Sequence, residues 1–179
     1  GFILEVSPAF RLDYVYLNHA RPPLDNKDIR LALNYAANRE AVLAVAFHGF
    51  GKIPNSYMPI VSHHCDSVEA IPYDLEKARE LVANSGYDGT VIEVIAASGD
   101  SVARQAAQIL QQGWQEVGLN IEIVEFDMGT AYGKLEEGDF FSMVSYITSD
   151  TNDTDFLAGI QADHEVFGGF FSSYNNTQV

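Results

Sequence analysis

The richest run of chemically useful side chains is Tyr146-Ile147-Thr148-Ser149-Asp150-Thr151-Asn152-Asp153-Thr154-Asp155. It sets three carboxylates among hydroxyls and one amide, directly after an apolar stretch that reads as a strand. In open α/β sheets, ligands sit outside the carboxyl ends of strands. Carboxylates in such a loop can hold an ammonium group or a cation. The same residues can simply turn the chain and cap a helix begun by Phe156 and Leu157. On chemistry alone the two readings weigh about equally.

Other clusters have a plainer explanation. His63-His64-Cys65-Asp66 contains metal-ligand types, but four adjacent residues cannot all reach one ion, and no second pair stands at zinc spacing. A loop surface explains them better than a metal site. A thiol dyad of Cys65 with His63 or His64 suffers from the same adjacency. Phe50-Gly51-Lys52 lacks the glycine spacing and the following Ser or Thr of a phosphate loop. Ser98-Gly99-Asp100 joins a strand to a helix, where anions can bind, but it lacks the nucleophile-elbow pattern and reads first as a helix cap. Asn152-Asp153-Thr154 and Asn175-Asn176-Thr177 match a glycosylation pattern that is common by chance.

The elements that must position these groups follow from periodicity and punctuation. Leu12–Asn18 alternates as a strand, with Leu12, Tyr14 and Tyr16 on one side and Val15 and Leu17 on the other. Arg21-Pro22-Pro23 breaks the chain. Asp25 is the expected cap of a helix carrying Ile29, Ala32, Leu33 and Ala36. Asn38 caps a second helix, Arg39–Phe47, ended by Gly49 and Gly51. Phe50–Pro72 carries three prolines and reads as a long loop. Asp74 caps a helix bearing Leu75, Ala78, Leu81 and Val82, with Gly86 as its stop. Val91–Ala97 is a strand, and Ser101–Val117 a long helix with a stripe of Val102, Ala106, Ile109, Gly113 and Val117 beside Ala103, Leu110 and Trp114. Asn120–Asp127 is the next strand, then a short helix near Thr130–Glu137 and a strand over Phe140–Ile147. Strand, helix and strand with short joints make a βαβ unit, so Val91–Ala97 and Ile121–Phe126 should run parallel. The class is α/β, with a mixed sheet flanked by helices, in one domain over residues 1–179.

Composition narrows the function. Apolar residues are 47% of 179 and charged residues 20%, which suits a folded globule rather than a disordered chain. Ten Lys+Arg against 25 Asp+Glu give a net charge of −15, a field that repels nucleic acid and anionic membrane surfaces. Solubility is the simplest reason for that charge. The single cysteine, Cys65, cannot form an internal disulfide. Gly1-Phe2-Ile3-Leu4-Glu5 is no signal peptide, and both ends read as cut, so the expectation is a fragment of a longer protein.

The order of segments resembles a known family. Tyr16-Leu17-Asn18, Arg21-Pro22-Pro23-Leu24-Asp25 and the run from Ile29 to Glu40 resemble the extracytoplasmic solute-binding proteins of the peptide/nickel type, family 5, which deliver ligands to ABC importers. The run from Tyr73 to Val82 with Gly86-Tyr87, the stretch from Gln111 to Glu122, and Gly138-Asp139-Phe140-Phe141 with the polar loop are similar to further segments of that family, in the same order. The match covers nearly the whole chain but only the family's C-terminal lobe region.

The resemblance implies one lobe of a two-lobed, class II periplasmic-binding-protein-like fold, closing with an N-terminal lobe around a ligand. In the family's peptide binders the strand before the polar loop offers main-chain bonds to an extended peptide, and a loop aspartate pairs with the ligand's amino terminus. Here that implies Tyr146, Ile147, Thr148, Ser149, Asp150 and Asp153 as ligand-binding residues, with Asp150 the first counterpart and Asp153 the second; without a gap, Ser149 takes the aspartate's place. Family members often carry Trp where Tyr146 stands and Pro near Thr154. The implied partners are a peptide or small solute and the permease subunits of an ABC transporter. The implied setting is periplasmic or extracellular, membrane-associated through the transporter. The protein would be a monomer, with no catalysis, no cofactor and no metal. Two alternatives are the same lobe sensing ligand for a regulator, and a thiol or metal hydrolase built on Cys65 with His63 or His64.

Overall fold

The computed structural model describes residues 11–56, 67–148 and 171–174. Four strands, β1 (Arg11–Leu17), β2 (Ile92–Ala97), β3 (Ile121–Phe126) and β4 (Ser142–Thr148), form one sheet in the order β1-β4-β2-β3. β2 runs parallel to both β3 and β4, and β1 is antiparallel to β4. The helices are α1 (Lys27–Tyr35), α2 (Arg39–Val45), α3 (Leu75–Asn84), α4 (Ser101–Glu116) and α5 (Met128–Glu136). The expected βαβ unit is present as β2-α4-β3, with Ile92 opposite Ile121 and Ala97 opposite Phe126. No helix among the described residues is long and apolar enough to cross a membrane.

The alternation of each strand divides the core in two. On one face Val15 and Leu17, Val144, Val94 and Ala96, and Ile121 and Ile123 pack with α1 to α4, around Ile29, Leu33, Leu110 and Trp114. On the other face Tyr14, Tyr16, Met143, Ile95 and Phe126 pack with Ala131 and Leu135 of α5, Phe140 and Phe171. On the edge strand β3, Glu122 and Glu125 are both exposed but lie on opposite faces, and Glu125, on the α4 side, pairs with Arg104 of α4 at 2.9 Å.

Short-range capping chemistry sets most helix starts. The side chains of Asn38, Asp74 and Asp100 accept hydrogen bonds from Ala41 N, Lys77 N and Ala103 N, as the sequence suggests. Two starts differ. Asn26, not Asp25, caps α1, accepting from Asp28 N at 2.8 Å. The turn after Arg21 runs one residue further than expected, because Leu24 N donates to Arg21 O and Asn26 N to Pro23 O. Likewise α5 begins at Met128, before Thr130, because Asp127 accepts from both the amide and the hydroxyl of Thr130.

The buried stripe of α4 also sits slightly off the expected one. Ala103, Ala106, Ala107, Leu110, Gly113 and Trp114 are buried, whereas Val102 and Ile109 lie at its margins. The reason is close helix packing against the end of α1. Trp114 Nε1 donates to Leu33 O at 2.8 Å, and a methyl at Gly113 would stand 2.3 Å from Ala36 O. The described parts of the long loop, Phe50–Ser56 and Ser67–Pro72, contain neither helix nor strand.

Candidate ligand-binding site

β4 ends at Thr148, where the polar run of the sequence begins, and lies inside the sheet, yet only part of it is paired on both sides. It matches β1 along its whole length, from Leu17 opposite Ser142 to Arg11 opposite Thr148. On the other side it matches β2 only from Ser142 to Val144. Past Ala97 the chain leaves the sheet: Asp100 N donates to Ala97 O, closing a turn that enters α4. Ser98 N meanwhile donates to Phe126 O, towards β3.

The direction of the exposed main chain follows from alternation. Asn18 N donates to Phe141 O, so the odd-numbered residues of β4 turn their N–H and C=O groups to β1. The even-numbered residues face the other edge. Ser142 and Val144 meet β2 there. The peptide groups of Tyr146 and Thr148 face the space that β2 has vacated, and no described strand pairs with them. Among the described residues, the β2-side edge of β4 is therefore unpaired beyond Val144, at the carboxyl end of the parallel strands, and is suited to accept a short extended segment.

Side chains alternate in the same way. Tyr146 is 38% exposed and Thr148 is exposed, both on the sheet face covered by α4. Ile147 is 9% exposed, opposite Leu12, so its side chain belongs to the packed interior. Ser149, Asp150 and Asp153 lie outside the described residues, as do His63, His64 and Cys65. Among the described residues no group of three or more His, Cys, Asp or Glu side chains could hold a metal ion.

β1 brings two further charged groups to this end because it is antiparallel to β4. Asp13 stands opposite Tyr146, and Arg11 is two residues away on the same face. Arg11 Nη2 lies 2.6 Å from Asp13 Oδ1, and Arg11 Nε is 3.0–3.1 Å from the two carboxylate oxygens. The guanidinium carbon lies 3.8 Å from the Tyr146 ring centroid, a cation–π contact. Hydrogen bonding to the Asp13 carboxylate raises the Arg11 pKa above its ordinary value against the opposing effect of burial, so the cation is secure. Sequence reasoning missed this pair. The available signal was the i, i+2 spacing of opposite charges at a strand start, but only the β1–β4 register aligns it with Tyr146.

Asn18 fixes the other end of β4. Its amide donates to Gly138 O and Phe140 O at 3.1 and 3.0 Å, while its oxygen accepts from Ala20 N. This buried, satisfied side chain ties the exit of β1 to the entry of β4.

Residues 3–165 match the model of the family described as "Bacterial extracellular solute-binding proteins, family 5 Middle". The chain belongs to that family. As a family 5 solute-binding protein it is 34% identical over 134 residues to the glutathione-binding protein GsiB of Salmonella choleraesuis, and 33% identical over 134 residues to that of Escherichia coli K12. In both cases the match covers 74% of this chain and 26% of the relative, so the chain spans about a quarter of those proteins. Among solved structures, the substrate-binding protein CtaP of Listeria monocytogenes superposes with a TM-score of 0.88 at 24% identity, over 96% of this chain and 36% of that one. A dipeptide-binding protein from Pseudoalteromonas sp. SM9913 in complex with Met-Leu gives a TM-score of 0.81 at 24% identity, over 94% and 35%. These structures place the mixed α/β sheet in the periplasmic-binding-protein-like fold expected from the sequence. GsiB and the Pseudoalteromonas protein are both binding proteins.

Proposed function

We propose that this chain is the C-terminal-lobe part of an extracytoplasmic solute-binding protein that captures peptides or similar small solutes and delivers them to the permease subunits of an ABC importer. The observation that carries this reading is the edge of β4 left unpaired among the described residues at Tyr146 and Thr148, at the carboxyl end of the sheet and just before the acidic run of the sequence. An extended peptide adds main-chain hydrogen bonds to such an edge. Asp150 or Asp153 then supplies the countercharge for an amino group, and Tyr146 a surface against which a ligand side chain packs. The relatives' glutathione and dipeptide ligands support this class of solute. The remainder of the pocket belongs to the N-terminal lobe, and hinge closure of the two lobes traps the solute. The protein acts as a monomer outside the cytoplasm, held to the membrane through the transporter.

Calorimetry tests this with the full-length protein and the 179-residue chain, titrated with reduced glutathione and with di- and tripeptides. The full-length protein binds at least one of these solutes, and the fragment binds it more weakly because half of the pocket is absent. Equal affinities would put the site wholly within these residues and end the two-lobe reading. No binding to any of the probes would end the peptide-class reading.

A further inference from the structure

Tyr146 stands partly exposed near the end of β4, and a complete ion pair is set against its ring. The β1–β4 register places Asp13 opposite Tyr146 and Arg11 opposite Thr148, and alternation puts all four side chains on the sheet face that α4 covers. Arg11 folds back along its own strand. Its Nη2 and Nε donate to the Asp13 carboxylate at 2.6–3.1 Å, and its guanidinium carbon lies 3.8 Å from the centroid of the Tyr146 ring. β1 and β2 flank β4 on opposite sides, so this pair stands behind Tyr146 and away from the unpaired edge.

A partly exposed tyrosine turns about two side-chain torsions, and ordering such a side chain on binding costs affinity. A guanidinium whose plane is set by a two-point contact with a carboxylate offers the ring a flat, charged partner. Both members are needed: without Asp13 the guanidinium swings free, and without Arg11 the ring loses its partner. The chain uses a similar stack elsewhere for assembly. Arg21 lies over Phe141 at 3.9 Å, and its carboxylate partner, Asp139, is 118 residues away, so that stack fastens the turn after β1 to the entry of β4. Arg30 and Arg39 likewise direct their guanidinium groups to distant or main-chain oxygens. Among the described residues the side-chain hydrogen bonds of Arg11 go to Asp13 alone, on the same strand, and the guanidinium's contact across the strands is the Tyr146 ring.

We infer that Arg11 and Asp13 are positioning residues of the site: together they hold the Tyr146 ring in one orientation, so that a solute arriving at the edge of β4 meets an aromatic surface already in place. The inference rests on the reading that the solute lies along the Tyr146 edge of β4. It makes the ring a preset wall and not one that orders on the solute's arrival.

A double-mutant cycle on the full-length protein tests this, by calorimetry with reduced glutathione, Ala-Ala-Ala and Ala-Phe-Ala. Ordering one side chain corresponds to about two- to tenfold in affinity. Arg11→Gln and Asp13→Asn should each lose about that factor for the probe that binds most tightly, and Arg11→Lys should recover only part of it, since a point charge lacks the planar fork. In a Tyr146→Ala background Arg11→Gln should change nothing further. An equal loss in both backgrounds would show that Arg11 acts elsewhere, and the inference falls. Magnetic resonance spectra of protein with isotope-labelled tyrosine, recorded without solute, give a readout independent of binding. The Tyr146 ring signals, assigned by Tyr146→Phe, should move with Arg11→Gln, while those of Tyr14 and Tyr16, on the opposite face of β1, should stay. Unmoved Tyr146 signals overturn the inference as well. If Tyr146→Ala weakens binding but Arg11→Gln and Asp13→Asn leave it unchanged, the inference falls and the reading of the edge stands. If Tyr146→Ala leaves every affinity unchanged, or the wild type binds none of the probes, that reading falls and the inference with it.

Discussion

Gly113→Ala should destabilise the lobe, although alanine is the better helix former. A Cβ at position 113 would sit 2.3 Å from Ala36 O and 3.5 Å from Ala36 C, both backbone atoms. Cβ atoms essentially never approach such atoms within 3.0 Å, and no flexible side chain is there to yield. α4 and the end of α1 must therefore move apart. The next residue, Trp114, is 3% exposed and donates to Leu33 O across the same interface, so separation also stretches that bond. Overpacking costs about 1–3 kcal/mol and the strained hydrogen bond about 1 kcal/mol, against about 1 kcal/mol gained in helix propensity. A net loss of about 1–3 kcal/mol follows, which lowers the unfolding temperature of a domain this size by about 3–10 °C. Gly133→Ala in α5 is the matched control, since a Cβ there meets nothing within 4 Å. It should be neutral or stabilising by up to about 1 kcal/mol. Thermal unfolding of the full-length variants, followed by circular dichroism and by Trp114 fluorescence in a background without other tryptophans, measures both. Equal melting temperatures for the two alanine variants would refute the close-approach argument.

Three further outcomes are expected. Asp150→Asn or Asp153→Asn in the full-length protein should weaken binding of an amine-bearing solute about ten- to hundredfold, with Asp66→Asn nearly silent as control; calorimetry in which both loop variants stay within twofold would exclude the carboxylate anchor. Stability should fall between pH 6.5 and about 4 through His19, whose pKa burial, and then nearby Arg30, lower to about 4. The unfolded chain takes up the proton first as pH drops, so the contribution is complete above 6.5 and lost across that window. The ring is half-buried, so solvent screening leaves about 1–2 kcal/mol, and His19→Asn should flatten that part of a urea-midpoint profile against pH. Protein purified without metal-affinity steps should show no stoichiometric zinc or nickel by elemental analysis; one bound equivalent lost on His64→Ala would reverse the reading of His63-His64-Cys65 as loop surface.

What the sequence determined by itself was local. Asn38, Asp74 and Asp100 cap the helices that follow them because each side chain reaches an amide only three residues away. The βαβ pairing of β2 and β3 was legible because a short crossover leaves little choice of direction. The strand before the polar run was legible from its apolar residues, whereas the run itself lies outside the described residues beyond Thr148. Where the reading slipped, at Asn26 and along the α4 stripe, distant packing or a longer turn shifted a boundary by a residue or a fraction of a helix face. The tertiary structure alone decided the strand order β1-β4-β2-β3 and the point where β2 leaves the sheet. The β1–β4 pairing joins residues as far apart as Arg11 and Thr148, and its register is fixed by burial on both faces rather than by neighbouring residues. Together these features leave the edge at Tyr146 and Thr148 unpaired among the described residues, and they carry Arg11 and Asp13 from the far end of the chain to the side of Tyr146. A charge pair two residues apart on a strand has no meaning until the opposing strand is known, because only the ladder decides which side chains share a face and a neighbour.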